Sequence, residues 1–317
     1  MISRRQLRIK TLQSLYAYYK TGRDDMGRSE KELHFNIEKA YELYHYLLLL
    51  IIDVILYAES RIELARNKRI PTHEDLHPNH RLINNKLIDQ LRNNEQLLRF
   101  VDLHKLNWSN YPELIKEVYV KLTESEEYAA YMIAEESGYA EDKKMISLVY
   151  THVIFPSELL SSIMEEQSIY WNDDLEFITS MIVKTFKKFK EDDGPDKPLM
   201  ELYKNKEDSD YVVKLYRETI LHREEYVEYI KQNTRNWDLE RIAFMDILIM
   251  QIAISELVAF PSIPTKVTLN EYLEISKFYS TNKSNIFING VLDKVVMQLK
   301  EEKLILKKGR GLIGEND

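Results

Sequence analysis

The chain has 317 residues, of which 44% are hydrophobic and 30% charged, and its net charge is −8. That is enough apolar material for a sizeable core and a length suited to about two domains. Eight Gly and eight Pro are too few for the many turns of a β-sandwich or barrel, and the absence of Cys excludes disulfides, thiolate metal sites, iron–sulfur clusters and a catalytic Cys.

No apolar stretch follows Met1 to Arg8, so no signal peptide is expected, and a reducing cytoplasm is the natural compartment. The periodicity is helical almost throughout and predicts an all-α fold. A first helix runs from Ser3 to Lys20 and stops at Thr21-Gly22. A long second helix covers Ser29 to Asn67, with room for one break. Its apolar run Tyr46 to Ile52 is interrupted by Asp53, well short of the ~20 residues of a membrane span. Pro71 closes it, and His73 to Asn79 reads as a loop.

Shorter amphipathic helices follow near Leu82–Leu91, Gln96–Leu106, Pro112–Glu136, Asp142–Val153, Ser157–Glu166 and Asp173–Lys190. Glu191 to Pro198 gathers charge, Gly and Pro and reads as a linker. Helices resume near Ser209–Lys231, Asp238–Ala259, Thr268–Tyr279 and Ser284–Lys300, and the residues from Lys307 onward are expected to fray.

Charge is unevenly placed. Residues 1–20 carry Arg4, Arg5, Arg8, Lys10 and Lys20 without an acid, and residues 303–314 carry Lys303, Lys307, Lys308 and Arg310 without one. The acidic surplus lies between these basic ends. Arg4, Arg5 and Arg8 fall within roughly 100° on a helical wheel. Cations at a helix N-terminus oppose the macrodipole, so an anion or carboxylates of the same fold must offset them.

In the C-terminal third, the helix from Asp238 to Ala259 is apolar on nearly all sides and belongs at the centre of a bundle. Asp246 inside it needs a partner. Pro261 to Val267 reads as an extended connection, and Thr268-x-x-Glu271 as a capping box. Gly290, inside the last helix, costs about 1 kcal/mol against Ala and suggests close approach of a helix or a ligand.

Several strings here share order and spacing with one family. They are Asn236-Trp237-x-x-x-Arg241, Ile252-Ala253-x-x-Glu256-Leu257, Pro264-x-Lys266-Val267-x-x-Asn270-Glu271, Ser276-Lys277 and Phe287-Ile288-Asn289-Gly290-Val291-Leu292-Asp293. With Arg4-Arg5-x-x-Arg8 and Gln13-x-x-Tyr16 near the N-terminus, this combination resembles the NusB transcription antitermination family. The resemblance covers residues 236–296 and, more loosely, 3–20. It implies a NusB-like helical bundle formed by residues 1–69 and 201–317, with an inserted or expanded helical region over 70–200. It departs from the family pattern at Gln251, where Arg is common, and at Ile247, where a basic residue is common.

By resemblance the chain is expected to bind boxA RNA of nascent ribosomal transcripts together with NusE, a ribosomal small-subunit protein, within an RNA polymerase antitermination complex, as a monomer or homodimer. The residues expected at the RNA are Arg4, Arg5, Arg8, Tyr16, Lys283, Phe287 and Asn289. Phe287 reads equally as core, and Asn289 as a base reader or a loop cap. Lys283 is placed in the loop before the last helix. Unpaired bases stacked on aromatic rings and phosphates held by cations are the chemistry such residues supply.

Nothing in the chain reads as an enzyme: no Gly-rich nucleotide loop or nucleophile elbow occurs. His73, His77 and His80 with Glu74 and Asp75 are the one metal-like cluster, but Pro78 disrupts a common face, and no metal or cofactor is expected. The competing reading is a protein-only helical adaptor, favoured by the pI near 5.6.

Overall fold

The computed structural model describes residues 1–22, 25–134, 138–234 and 241–314. Asn236, Trp237 and the expected helix start at Asp238 therefore lie outside the described residues. The helices are α1 (Arg4–Thr21), α2 (Met26–Arg66), α3 (His73–Leu76), α4 (Lys86–Arg92), α5 (Glu95–His104), α6 (Pro112–Thr123), α7 (Glu126–Ile133), α8 (Tyr139–Leu148), α9 (Glu158–Gln167), α10 (Leu175–Lys188), α11 (Lys206–Leu221), α12 (Arg223–Gln232), α13 (Phe244–Ala259), α14 (Thr265–Tyr279) and α15 (Asn282–Glu301). No strand occurs among the described residues, and the fold is all-α.

Local chemistry sets most boundaries. The Ser3 hydroxyl accepts the Gln6 amide at 3.2 Å and caps α1, and Gly22 ends it at φ 63°. α2 is a single unbroken helix of 41 residues. The expected loop at His73 contains the one-turn α3, capped reciprocally by Thr72 and Asp75. The expected helix from Pro112 breaks where Ser125 turns its hydroxyl to the Tyr128 amide and starts α7. α8 runs on into a π-helical turn at Val149–Ile154.

The chain divides into two compact units, residues 1–37 with 203–317, and residues 38–202. Within α2 the change falls at residues 37–38. In the first unit α13 is central and packs on α1, α11, α12, α14 and α15. Leu248, Ile249, Ile252, Ala253 and Leu257 of α13 are fully buried, as an all-round apolar helix requires.

In the second unit α8 packs on α4, α7 and α10. The apolar run of α2 is buried there. Tyr150 donates to the Leu47 carbonyl at 2.7 Å, and the Trp108 indole N–H donates to the Tyr46 carbonyl at 2.9 Å. The segment from Glu191 to Pro198 is not a free linker. The Glu95 amide donates to the Pro195 carbonyl at 2.9 Å, and the Asn94 and Gln90 side chains donate to the carbonyls of Lys197 and Lys190. Its polar composition reflects an irregular strap whose backbone is satisfied by side chains rather than by a helix.

No single described helix is long and apolar enough to cross a membrane. The bent pair Tyr139–Ile154 and Glu158–Gln167, at 76°, has the length and composition of a span. Its apolar side chains Ile146, Val149, Tyr150, Ile154 and Leu160 are instead buried inside the second unit.

Two predictions follow from this packing. A Cβ at Gly290 would meet nothing within 4 Å, so no neighbouring helix demands the glycine. Gly290→Ala is therefore expected to stabilise the protein by about 1 kcal/mol in thermal unfolding.

The second concerns pH. Burial pushes the Asp53 carboxyl up to about 6, against the Trp108 amide that donates to it. Burial pushes His45 down to about 4, its ring stacked on Phe100 at 3.7 Å. Neutral His45 stabilises the fold fully above about 6.5, and that contribution erodes as pH falls toward 4. Protonated Asp53 does the reverse: its contribution is lost as pH rises from 3.8 through 6. Asp53→Asn should raise the urea midpoint relative to wild type by an increment that grows between pH 4 and pH 7. An increment flat across that range would remove the shift assigned to Asp53.

Candidate nucleic-acid interface

The first turn of α1 holds Arg4 and Arg5 and no acid, and Arg8 lies one turn further along the same face. The structure supplies carboxylates to all of them. Arg4 donates to Glu207 at 2.6 Å and to Asp208 at 2.9 Å, both in the first turn of α11. Arg5 makes a two-pronged contact with Glu271 of α14 at 2.7 and 2.9 Å. Arg8 makes a second two-pronged contact with Glu256 of α13, both bonds 2.7 Å.

These pairs form a gradient of access. The side chains of Arg8 and Glu256 are 3% and 0% exposed, those of Arg4 and Arg5 32% and 50%. Glu256 also accepts from Thr268 at 2.8 Å, from Tyr272 at 3.2 Å and from the Tyr211 hydroxyl. Burial works against the charge on Arg8, and the facing Tyr211 and Glu256 outweigh it, so the guanidinium stays firmly protonated. The hydrogen bond from Arg5 holds Glu271 below the usual carboxylate range, and that from Arg4 does the same for Glu207.

This arrangement corrects the expected capping box. α14 starts at Thr265 behind Pro264, three residues before Thr268. Thr268 and Glu271 lie inside the helix, and both are recruited by the arginine cluster. Because the helix already begins at Thr265, Thr268 is too far inside it to cap, and its hydroxyl turns to Glu256 while Glu271 takes Arg5.

Around Arg4 the surface is concave. A cavity of about 550 Å³ opens beside Arg5, Ile263 and Glu271. A second, of about 450 Å³, opens beside Lys204, Asn205 and Glu207. Ser3, Arg4, Ser262 and Arg310 line both. The leading turn and the segment after α15 thus share one groove.

That segment does not fray as expected. The Lys307 ammonium donates to the carbonyls of Leu257 and Phe260 at 2.9 and 3.2 Å, and the Lys308 amide donates to the Pro261 carbonyl at 2.9 Å. Gly311 is buried, and a Cβ there would stand 1.9 Å from the Pro261 carbonyl oxygen.

The remaining expected residues sit elsewhere on the first unit. Tyr16 is 38% exposed, with its ring 5.7 Å from Phe244 and the Lys20 ammonium 4.7 Å above that Phe. It lies about 18 Å along α1 from Arg4 at the usual helical rise. Lys283 is exposed and belongs to the first turn of α15, not to a loop before it. Phe287 is half-buried, and Asn289 donates to Asp293 at 3.3 Å. α14 is tied to both neighbours: Gln13 of α1 donates to Tyr279 at 3.1 Å, and Asn285 of α15 donates to the Leu273 carbonyl at 2.8 Å.

The buried Asp246 accepts from the Ser280 hydroxyl, and the Gln251 amide donates to the Arg223 carbonyl at 3.4 Å. Of the two departures from the family pattern, Gln251 thus has a polar partner, and Ile247 is half-buried. Among the described residues, no group of three or more His, Asp or Glu is placed to hold a metal ion.

Sequence reasoning missed Glu256, Glu207, Asp208 and Arg310 as members of this site. Glu256 carried a signal, as an acid inside an apolar helix. The acids of α11 carried none, because nothing local distinguishes them from a solvated first turn.

Arg8→Ala leaves the Glu256 carboxylate buried without its cation and is expected to cost about 3–5 kcal/mol in urea unfolding. Arg5→Ala breaks a half-exposed pair and should cost no more than about 1 kcal/mol. Equal costs would dissolve the division between a structural and an accessible arginine.

A family model for the NusB family matches residues 175–297. The chain is similar to transcription antitermination protein NusB of Salinibacter ruber, 41% identical over 105 residues that make up 33% of this chain and 66% of that protein. It is 38% identical to the protein of the same name from Chloroherpeton thalassium over 33% of this chain and 49% of that one. With the one from Natranaerobius thermophilus it shares 39% identity over 31% of this chain and 74% of its relative. The chain thus spans somewhat less than two thirds of the first of these relatives and about half of the second. No solved structure matches it. The family match over residues 175–297, which takes in the apolar central helix α13 and most of the helices around it, and the 39% identity over 74% of the Natranaerobius thermophilus protein identify the chain as a member of the NusB family.

Proposed function

We propose that the chain is a transcription antitermination factor, a binding protein and not an enzyme. It grips boxA-type RNA of nascent ribosomal transcripts through the groove around Arg4 and acts in the cytoplasm with NusE and RNA polymerase. The observation that carries this reading is the groove itself: Arg4, Arg5, Lys204 and Arg310 line two adjoining cavities at a capped helix N-terminus. Helix amides and clustered cations favour phosphate. The relatives' printed name, transcription antitermination protein, supports the same function.

In this reading Arg4 and Arg5 meet phosphates, and Arg8 braces the turn from below. Tyr16, Lys283, Phe287 and Asn289 extend the contact to bases or to NusE on the surface flanking α14. The open space around Gly290 suits a partner's backbone better than a neighbouring helix. The helices expected as an insertion over residues 70–200 are proposed as an addition to the NusB-like body at least up to residue 174, where the stretch that matches the family begins.

Glu207 and Glu271 occupy the arginines in the absence of RNA, so a phosphate must displace a carboxylate. Arg4→Ala combined with Arg5→Ala should weaken binding to boxA RNA, lower the salt dependence by about two counterion units, and lower the melting temperature less than Arg8→Ala does. Glu207→Gln should tighten binding. A mobility-shift assay with boxA and scrambled RNA, with and without NusE and across a salt series, measures both effects. Equal binding of both RNAs, or none, sinks the antitermination reading and leaves the protein-only adaptor.

A further inference from the structure

We propose that the segment after α15 is a working wall of this groove and that Arg310 is a phosphate-gripping residue that shares it with Arg4. The inference rests on the RNA-binding reading above and goes beyond it, because residues 304–314 lie outside the stretch that matches the NusB family.

The segment is held against α13 and the α13–α14 connection at several points. Lys307 closes the C-terminal end of α13 by donating to the Leu257 and Phe260 carbonyls, where a cation also complements the helix dipole. The Lys308 amide and the buried Gly311 then fit against the Pro261 carbonyl. Gly311 belongs to a 3₁₀ turn, Gly309–Leu312, that leaves Arg310 exposed.

Arg310 lines both cavities together with Arg4, Ser3 and Ser262. It is exposed, and its charge acts on Glu207, the same carboxylate that Arg4 holds. Arg4 and Arg310 thus share one anion position, now served by an internal carboxylate. A strand's phosphate placed there meets two cations, and Ile313 gives the 550 Å³ cavity an apolar edge. Docking depends on the lack of a side chain at 311, since any Cβ collides with backbone that cannot yield.

The test uses the full chain and boxA RNA in a salt series. Arg310→Gln is expected to weaken binding severalfold and to reduce the salt slope by about one, as loss of a single phosphate contact does. Arg310→Lys should keep most of the slope. Gly311→Ala, which displaces the segment without touching a charge, should lose as much as Arg310→Gln. Thermal unfolding in parallel should show little change for Arg310→Gln. If both Arg310→Gln and Gly311→Ala bind as wild type does while the Arg4, Arg5 double variant loses RNA, the wall is refuted and the RNA-binding reading survives. If the wild-type chain itself shows no salt-dependent preference for boxA, both fall.

Discussion

One carboxylate organises the first unit. Glu256 sits on the central helix and accepts from Arg8 of α1, Tyr211 of α11, and Thr268 and Tyr272 of α14. Four helices therefore meet at a single buried charge. Such a pair adds little net stability compared with a well-packed apolar substitute, because two ions must leave water. What it does impose is registry: α1 can satisfy Glu256 at one height and one rotation only. Arg4 and Arg5 share that helix, so the buried pair also fixes where the accessible arginines stand.

The same logic explains how a helix tolerates three arginines in its opening turns. Positive charge there is unfavourable by the helix dipole alone. Acids drawn from α11, α13 and α14 offset it, and the offset is complete inside and replaceable outside. Arg8 is locked away from solvent, whereas Arg4 and Arg5 are partly exposed, and the Arg4 contact with Glu207 and the Arg5 contact with Glu271 are reached by water and salt, which weaken them. A graded series of this kind separates a structural task from a binding task within two turns of helix.

Helical periodicity made the all-α fold legible, and Ser3, Gly22 and Pro112 marked helix ends from local chemistry alone. The family resemblance was legible because its strings recur at fixed spacing over the last helices. Three misreadings share one cause. Thr268 and Glu271 look like a cap, Glu191 to Pro198 like a linker, and Lys307 to Gly311 like a frayed end. Each is instead fixed by a partner far away in sequence: Glu256 and Arg5, the α4–α5 side chains, and the Pro261 carbonyl. Nothing within a few residues announces such partners. Charge pattern showed that the arginines needed counter-ions, but not that the fold already carried them.

The placement of Glu207 has a further consequence. It stands in the first turn of its own helix, α11, where a negative charge is favourable whether or not Arg4 is near. Arg4 merely deepens an acidity the helix already favours. If another anion takes Arg4, the released carboxylate stays ionised at neutral pH and the exchange moves no proton. Only in mildly acidic solution, near the ordinary range of a glutamate, would the exchange draw a proton onto the protein and become coupled to pH.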